Sequence, residues 1–231
     1  MRIIAHRGAS TKAPENTLKA FKLAFQQLSD GIEFDTHQHS EGIIAFHDKT
    51  LERTSNGTGF LLDTPLSRLK QLDVGEGESI PCLHEILDIL PKDALCNIEI
   101  KHLNNVDTWV AEVKKAIEEA NINEDNLLIS SFNHHWLVQI RQRWPRVNIG
   151  ALTATYALDP TYCARAIKAT SINISIDVIN ADFINDAKRN GLDIYVYTVD
   201  IPEDMLKLKQ WGVTGIFTNV PDVAQHVLYG N

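Results

Sequence analysis

The sequence predicts a parallel α/β fold closed into a (β/α)8 TIM barrel, with a small insertion after a hairpin at the second strand. Three observations carry that prediction. Short runs rich in Ile, Val and Phe alternate along the chain with longer segments of helical period, the pattern of parallel strands joined by crossover helices. Nine such runs occur, one more than a barrel of this kind uses. The link from Asp35 to Ile43 is shorter than the roughly twelve residues that a parallel crossover needs, so the run at 43–47 must return as an antiparallel hairpin arm.

In chain order, the apolar and β-branched runs near 2–6, 31–36 and 43–47 read as the first strand, the second strand and its hairpin return. The helical segment near 15–28 lies between the first two. Residues 49–80 hold Ser55-Asn56-Gly57-Thr58-Gly59 and Gly75-Glu76-Gly77 and lack a steady period, which reads as an insertion over one face of the barrel within a single domain spanning 1–231. Helix 83–90 then leads to strand 95–100, and helix 106–120 to strand 127–131. The remaining pairs are helix 134–143, opened by Asn133, with strand 147–151, and helix 160–168, opened by Asp159-Pro160, with strand 171–176. Helix 181–190 precedes strand 193–199, helix 202–211 starts at Pro202 and precedes strand 214–217, and helix 221–228 closes the chain.

Charge narrows the range of partners. The 22 Lys and Arg residues against 30 Asp and Glu give a net charge of −8, with no basic run to attract nucleic acid or an anionic membrane surface. A small-molecule partner is expected. No stretch approaches the roughly 20 apolar residues of a membrane span, and the start, Met1-Arg2-Ile3-Ile4-Ala5-His6-Arg7, meets charge before any signal-type apolar region. Cys82, Cys96 and Cys163 are odd in number and lack Cys-x-x-Cys spacing, so neither a disulfide framework nor a thiolate metal site is expected, and a reducing cytoplasm fits best.

Polar residues collect where the early strands end. The first strand runs into His6-Arg7-Gly8, the second carries Glu33-Phe34-Asp35, the return arm ends in His47-Asp48, and the next strand ends in Glu99-Ile100-Lys101. Alternate strand residues share a face, so Glu33 pairs with Asp35 and Glu99 with Lys101 at the end of the barrel where active sites form. A hairpin turning at Ser40-Glu41-Gly42 brings His47 back roughly opposite Asp35. Three carboxylates suit a hard divalent cation, Mg2+ or Ca2+. Two imidazoles can serve as general acid and base, and Arg7 and Lys101 can hold a phosphate. A Glu-x-Asp pair or a strand-end His is by itself commonly structural; their joint placement is what points to phosphate-ester cleavage. His37, His39, His84, His102, His134, His135 and His226 are expected at the surface or in loops. His37-x-His39 has transition-metal spacing, but its neighbours are carboxylates.

With these residues in place the chain resembles the glycerophosphodiester phosphodiesterase family over nearly its whole length. The resemblance runs through His6-Arg7-Gly8, Pro14-Glu15-Asn16-Thr17, Gly31-Ile32-Glu33-Phe34-Asp35, Phe46-His47-Asp48, the run from Leu51 to Gly59, Ile80-Pro81, Asn97-Ile98-Glu99-Ile100-Lys101, Ser130-Ser131-Phe132, Tyr197-Thr198-Val199 and Gly212-Val213-Thr214-Gly215. It implies metal-dependent hydrolysis of glycerophosphodiesters to sn-glycerol 3-phosphate and an alcohol. It also implies a metal held by Glu33, Asp35 and Glu99, acid/base roles for His6 and His47, and a phosphate at Arg7 and Lys101. Glu15 is expected to support these residues or cap a helix, and Tyr197 stands where the family commonly has Trp. By analogy with related barrel phosphodiesterases, the glycerol 2-hydroxyl is expected to attack phosphorus first. The chain departs from the family pattern at His39 and Glu41, where Thr and Asp are frequent, and at Asn219 after Thr218, where Asp is common. Two other readings are a lysophospholipase D acting on lysophospholipids and a non-catalytic, metal-binding regulatory barrel; retention of both histidines and all three carboxylates argues against the second.

Overall fold

Strand β1 (Arg2–His6) pairs in parallel with β2 (Gly31–His39) on one side and with β9 (Gly215–Thr218) on the other, and this double pairing closes the sheet. The computed structural model describes residues 1–230. From β2 the ring continues through β4 (Leu95–His102), β5 (Leu127–Ser131), β6 (Asn148–Thr153), β7 (Ser171–Ser175) and β8 (Asp193–Tyr197) back to β9, all parallel. The fold is therefore the predicted barrel of eight parallel strands. The extra strand β3 (Gly42–Ala45) lies antiparallel on β2, with Thr36 opposite Ala45 and His39 opposite Gly42, as the short link requires. It takes over the edge of β2 that β1 leaves beyond Glu33.

Strand alternation sorts the barrel interior into levels. Ile4, Leu95, Leu128, Tyr195 and Phe217 form an apolar cluster, and two residues along the same strand faces come His6, Asn97, Ser130 and Tyr197. Asn97 donates to Ser130 Oγ at 3.1 Å, which pairs two members of this polar level. Outside the strands, the helices bury apolar stripes against the sheet; α4 (Val106–Glu119) contributes Trp109, Val110 and Val113. Caps fix where helices begin. The side chains of Thr17, Asn105 and Asn180 accept from backbone N–H groups of α1 (Leu18–Gln26), α4 and α7 (Ala181–Arg189). Among the described residues no helix is long and apolar enough to cross a membrane.

Element ends differ from the sequence reading where local chemistry intervenes. Helix α1 starts at Leu18 rather than 15, because Thr17 caps it and Asn16 sits at φ 58°. Glu15 and Asn16 are thereby left in the loop, facing the barrel mouth. The segment expected as helix 160–168 narrows to α6 (Tyr162–Ala166), with Lys168 at φ 53° just beyond it. Strand β2 extends to His39 with every residue buried, because the hairpin arm and the insertion cover its end. His37 and His39 are consequently buried and not at the surface as expected. The insertion carries a short helix α2 (Leu66–Leu69) and a 3-10 turn at Leu61–Asp63, both too short to give a periodic signal. Leu51, Leu61, Leu69, Leu72, Val74 and Ile80 form its apolar cluster and pack on Ile44 and Phe46 of the hairpin arm.

Trp109 is fully buried between α4 and the sheet, and its indole N–H has no hydrogen-bond partner. Trp109→Ala should cost about 3–5 kcal/mol in urea unfolding. Trp109→Phe should cost clearly less, since it keeps a ring and removes the unpaired donor.

Candidate active site

Two cross-strand pairs build the centre of the barrel mouth. His6 of β1 lies opposite Glu33 of β2, and Asp35 of β2 lies opposite Glu99 of β4. Strand pairing brings Glu33, Asp35 and Glu99 together, with one oxygen from each within 4.8 Å of the others. All three are buried.

Two cations face this triad. Arg7 Nε is 3.0 Å from Asp35 Oδ2, although not aligned as a hydrogen bond, and the Arg7 backbone N–H donates to Glu33 Oε2 at 3.0 Å. Lys101 Nζ is 3.2 Å from Asp35 Oδ1 and also contacts Glu99 Oε1. Three carboxylates thus meet two fixed positive charges. Burial and the neighbouring Asp35 push Glu33 up to about 8, and the same two causes push Glu99 up to about 7. For Asp35 burial acts in the same direction, but Lys101 and Arg7 outweigh it and hold the group at about 2. Glu33 Oε1 is buried without any partner, while Asp35 Oδ1 and Glu99 Oε1 have only the Lys101 ammonium. Three carboxylates converging on one point, with one oxygen unpaired and two sharing one ammonium, suit a hard divalent cation, which would supply the missing positive charge.

Both predicted histidines are anchored through Nδ1. His6 Nδ1 is 2.8 Å from Asn219 Oδ1, and Asn219 Nδ2 donates to Asp200 Oδ2 at 2.7 Å. With its amide nitrogen committed to Asp200, Asn219 offers oxygen to the imidazole, which assigns the His6 proton to Nδ1. Nε2 is left on the side of the triad, 4.0 Å from Glu33 Oε2. His47 Nδ1 is 2.5 Å from Asp48 Oδ1. The hairpin places Phe46 opposite Asp35, its N–H donating to the Asp35 carbonyl at 3.1 Å, so His47 lies one residue beyond the expected register. Burial lowers both imidazoles; Arg7 adds to this at His6, whereas Asp35 and Asp48 oppose it at His47.

The chain that carries this arrangement is similar to known proteins over nearly its whole length. The model of the glycerophosphoryl diester phosphodiesterase family matches residues 6–223. The chain belongs to that family. Its enzyme class is accordingly that of a glycerophosphodiester phosphodiesterase. A glycerophosphodiester phosphodiesterase of Caldanaerobacter subterraneus subsp. tengcongensis is 38% identical over 230 residues, covering 95% of this chain and 94% of the relative. One from Bacillus subtilis is 32% identical over 257 residues, covering 98% and 86%. The structure of an Oleispira antarctica phosphodiesterase in complex with the product sn-glycerol-3-phosphate is similar at TM-score 0.91 and 29% identity, covering 99% of this chain and 96% of that one.

Around this candidate site of the phosphodiesterase several residues make contacts that the sequence alone does not disclose. Glu15 does not cap α1; it accepts from Arg7 at 3.0 Å and from both terminal nitrogens of Arg53 at 2.9 and 2.7 Å. Arg53 also donates to Asp48 at 2.5 Å, so one guanidinium ties the insertion to the support of His47 and of Arg7. Asn16 donates to Asp35 Oδ2 at 2.9 Å and accepts from the Asp35 N–H at 3.2 Å. Tyr197 donates to the Thr153 carbonyl at 2.8 Å, and its ring meets Phe132 edge-on at 6.1 Å, with Lys101 Nζ 5.9 Å from the Phe132 centroid. Asn16, Asp48 and Arg53 lie within the segments that carry the family resemblance, which is their one sequence signal; Asp200 has none.

Asp200 also accepts from the Asn219 N–H at 2.8 Å and from Thr218 Oγ1 at 2.9 Å. Asp200→Ala leaves these donors unpaired and should cost about 2 kcal/mol in chemical denaturation. A change under about 0.5 kcal/mol would show that this cluster holds nothing in place.

Proposed function

We propose that the chain hydrolyses glycerophosphodiesters to sn-glycerol 3-phosphate and an alcohol, using a divalent cation, Mg2+ or Ca2+, at Glu33, Asp35 and Glu99. The observation that carries this reading is the convergence of three buried carboxylates, one with an oxygen wholly unpaired and two sharing the single Lys101 ammonium, beside two imidazoles whose Nδ1 atoms are already committed. The product-bound Oleispira antarctica structure supports the substrate class. When bound, the cation supplies positive charge to the phosphoryl oxygens.

The substrate phosphate lies against Arg7 and Lys101, whose charges offset what develops in the transition state. His6 Nε2, bare in the tautomer that Asn219 enforces, takes the proton of the attacking glycerol 2-hydroxyl. As the new O–P bond forms, the bond to the leaving oxygen breaks and His47 Nε2 gives that oxygen a proton. Asp48 stabilises the imidazolium that precedes this transfer. A water then opens the cyclic phosphate with the roles reversed: His47 takes the water proton and His6 returns one to the 2-oxygen. Both rings end as they began. A lowered pKa makes His6 available as a base near neutrality and makes protonated His47 a stronger acid.

Turnover of glycerophosphocholine, followed by product analysis after chelation and after adding back Mg2+ or Ca2+, tests this reading. His6→Ala and His47→Ala should each lose about 10²–10⁴ in rate while keeping wild-type melting temperatures. Glu33→Gln should lose both turnover and cation binding measured by calorimetry. Unchanged cation affinity in Glu33→Gln would remove Glu33 from the ligand set, and normal turnover in His47→Ala would remove the acid/base assignment.

The raised carboxylates also predict a pH effect with a definite sign. Glu33 is raised from 4.5 to about 8 and Glu99 to about 7, so the cation-free fold holds protons that the unfolded chain has released. Stability contributed in this way is complete below about 4.5 and is lost as pH rises to about 8. In chelator, the melting temperature should fall between pH 6 and pH 9. Saturating Mg2+ or Ca2+ should flatten that fall, because both carboxylates are then ionised and neutralised in the folded state. Equal slopes with and without the cation would count against a cation at the triad.

A further inference from the structure

Beside the triad, on the far side of Lys101, a cavity of about 380 Å³ is walled by strands β2 and β4 and by the insertion. Its inner wall is His37, His102 and Lys101; Phe60, Leu62, Asp63 and Lys49 complete the lining. The His37 and His102 rings stack at 6.4 Å with 19° between planes. His37 Nε2 also lies 3.2 Å from the His47 carbonyl, so the inner wall of the cavity supports the His47 segment directly. His6 lies on β1, which pairs with the edge of β2 away from β4.

We propose that this cavity receives the alcohol released from the phosphodiester and that it favours an uncharged ring alcohol carrying several hydroxyls. The proposal rests on the phosphodiesterase reading above. The cavity shares Lys101 with the proposed phosphate position, its wall touches the His47 segment through His37, and His47 is the residue proposed to protonate the leaving oxygen. The volume falls in the range of small-molecule sites and exceeds what a three-carbon glycerol unit requires.

The lining chemistry selects among leaving groups. A quaternary ammonium is best held by a cage of aromatic faces, whereas the cavity offers a single phenyl ring, Phe60, with the ammonium groups of Lys49 and Lys101 also lining it. An acyl chain would meet Phe60, Leu62 and the lysine stems but would strip water from His37, His102 and the Lys101 ammonium. A polyhydroxylated ring satisfies both parts of the wall. Its C–H face lies on Phe60, which is 61% exposed and free to take a partner, while its hydroxyls reach Asp63, Lys49 and the imidazoles. Lys49 and Asp63 carry opposite charges, and Lys101 is already paired with Asp35 and Glu99, so the cavity gives a neutral guest no charge to oppose.

The test is a competition assay on the full chain with added Mg2+ or Ca2+, offering glycerophosphoinositol, glycerophosphocholine and glycerophosphoethanolamine together. The inositol ester should have the highest kcat/KM. Phe60→Ala should lower its kcat/KM about tenfold and leave the ethanolamine ester within about twofold, and Asp63→Asn should act in the same direction. Phe60 and Asp63 are exposed, so both variants should keep the wild-type melting temperature. Preference for the choline ester, or an equal loss on all three esters in Phe60→Ala, would overturn the subsite and leave the phosphodiesterase reading intact. Failure to turn over any of the three would remove that reading and this proposal with it.

Discussion

Burying three carboxylates within 4.8 Å of one another is the constraint around which the barrel mouth is arranged. Two unit charges at that separation repel by about 3 kcal/mol at an effective dielectric constant near 20, more than an ordinary hydrogen bond returns. Strand register imposes the approach, since Asp35 and Glu99 are direct neighbours across β2 and β4. The response is asymmetric. Asp35, at the centre, takes both cations and an Asn16 amide and stays ionised, while Glu33 and Glu99 are left short of positive charge. The site is therefore electrically incomplete in a specific place, which is where the proposed divalent cation would be held.

The same incompleteness explains why so much of the surroundings is spent on orientation. Arg7 is held by Glu15, Glu15 by Arg53, Arg53 by Asp48, and Asp48 holds His47. This chain of charge-assisted contacts joins the loop after β1 to the segment after β3 without passing through the sheet. On the other side, Asp200 and Asn219 hold His6 from the loops after β8 and β9. Each imidazole is thus positioned by a different pair of loops, and the two Nε2 atoms remain free. A barrel suits this division, because neighbouring strands supply the charged centre while loops distant in sequence supply its supports.

Legibility in the sequence depends on the kind of signal each part leaves. The parallel ring, the hairpin return and the segments forming the triad are written in short-range patterns: strand runs, a link too short to cross over, and carboxylates two residues apart. Supports are long-range and leave no period. Asp200 lies 19 residues from Asn219 and 194 from His6, and nothing local marks it. Glu15 and Asn16, just after a proline and before a helix, look like capping residues; only the cap at Thr17 and the left-handed Asn16 release them to face Arg7 and Asp35. The burial of His37 and His39 escapes the sequence for a related reason, since alternation gives a face but not what covers it. That burial depends on β2 outrunning the barrel and on an insertion whose elements are too short to predict.

A one-residue irregularity finally separates the two uses of the end of β4. Thr36 pairs with Ile100, but His37 pairs with His102, so Lys101 has no partner on β2. In an unbroken strand, consecutive residues would point to opposite faces, and Lys101 and His102 could not both serve the barrel mouth. An extra residue bends the strand and re-aims the side chains beyond it. Lys101 turns to Asp35 and Glu99, while His102 stacks on His37 and lines the neighbouring cavity. A charge set against the triad and a wall of the neighbouring cavity therefore come from adjacent residues, and any change that restored regular pairing here would disturb both together.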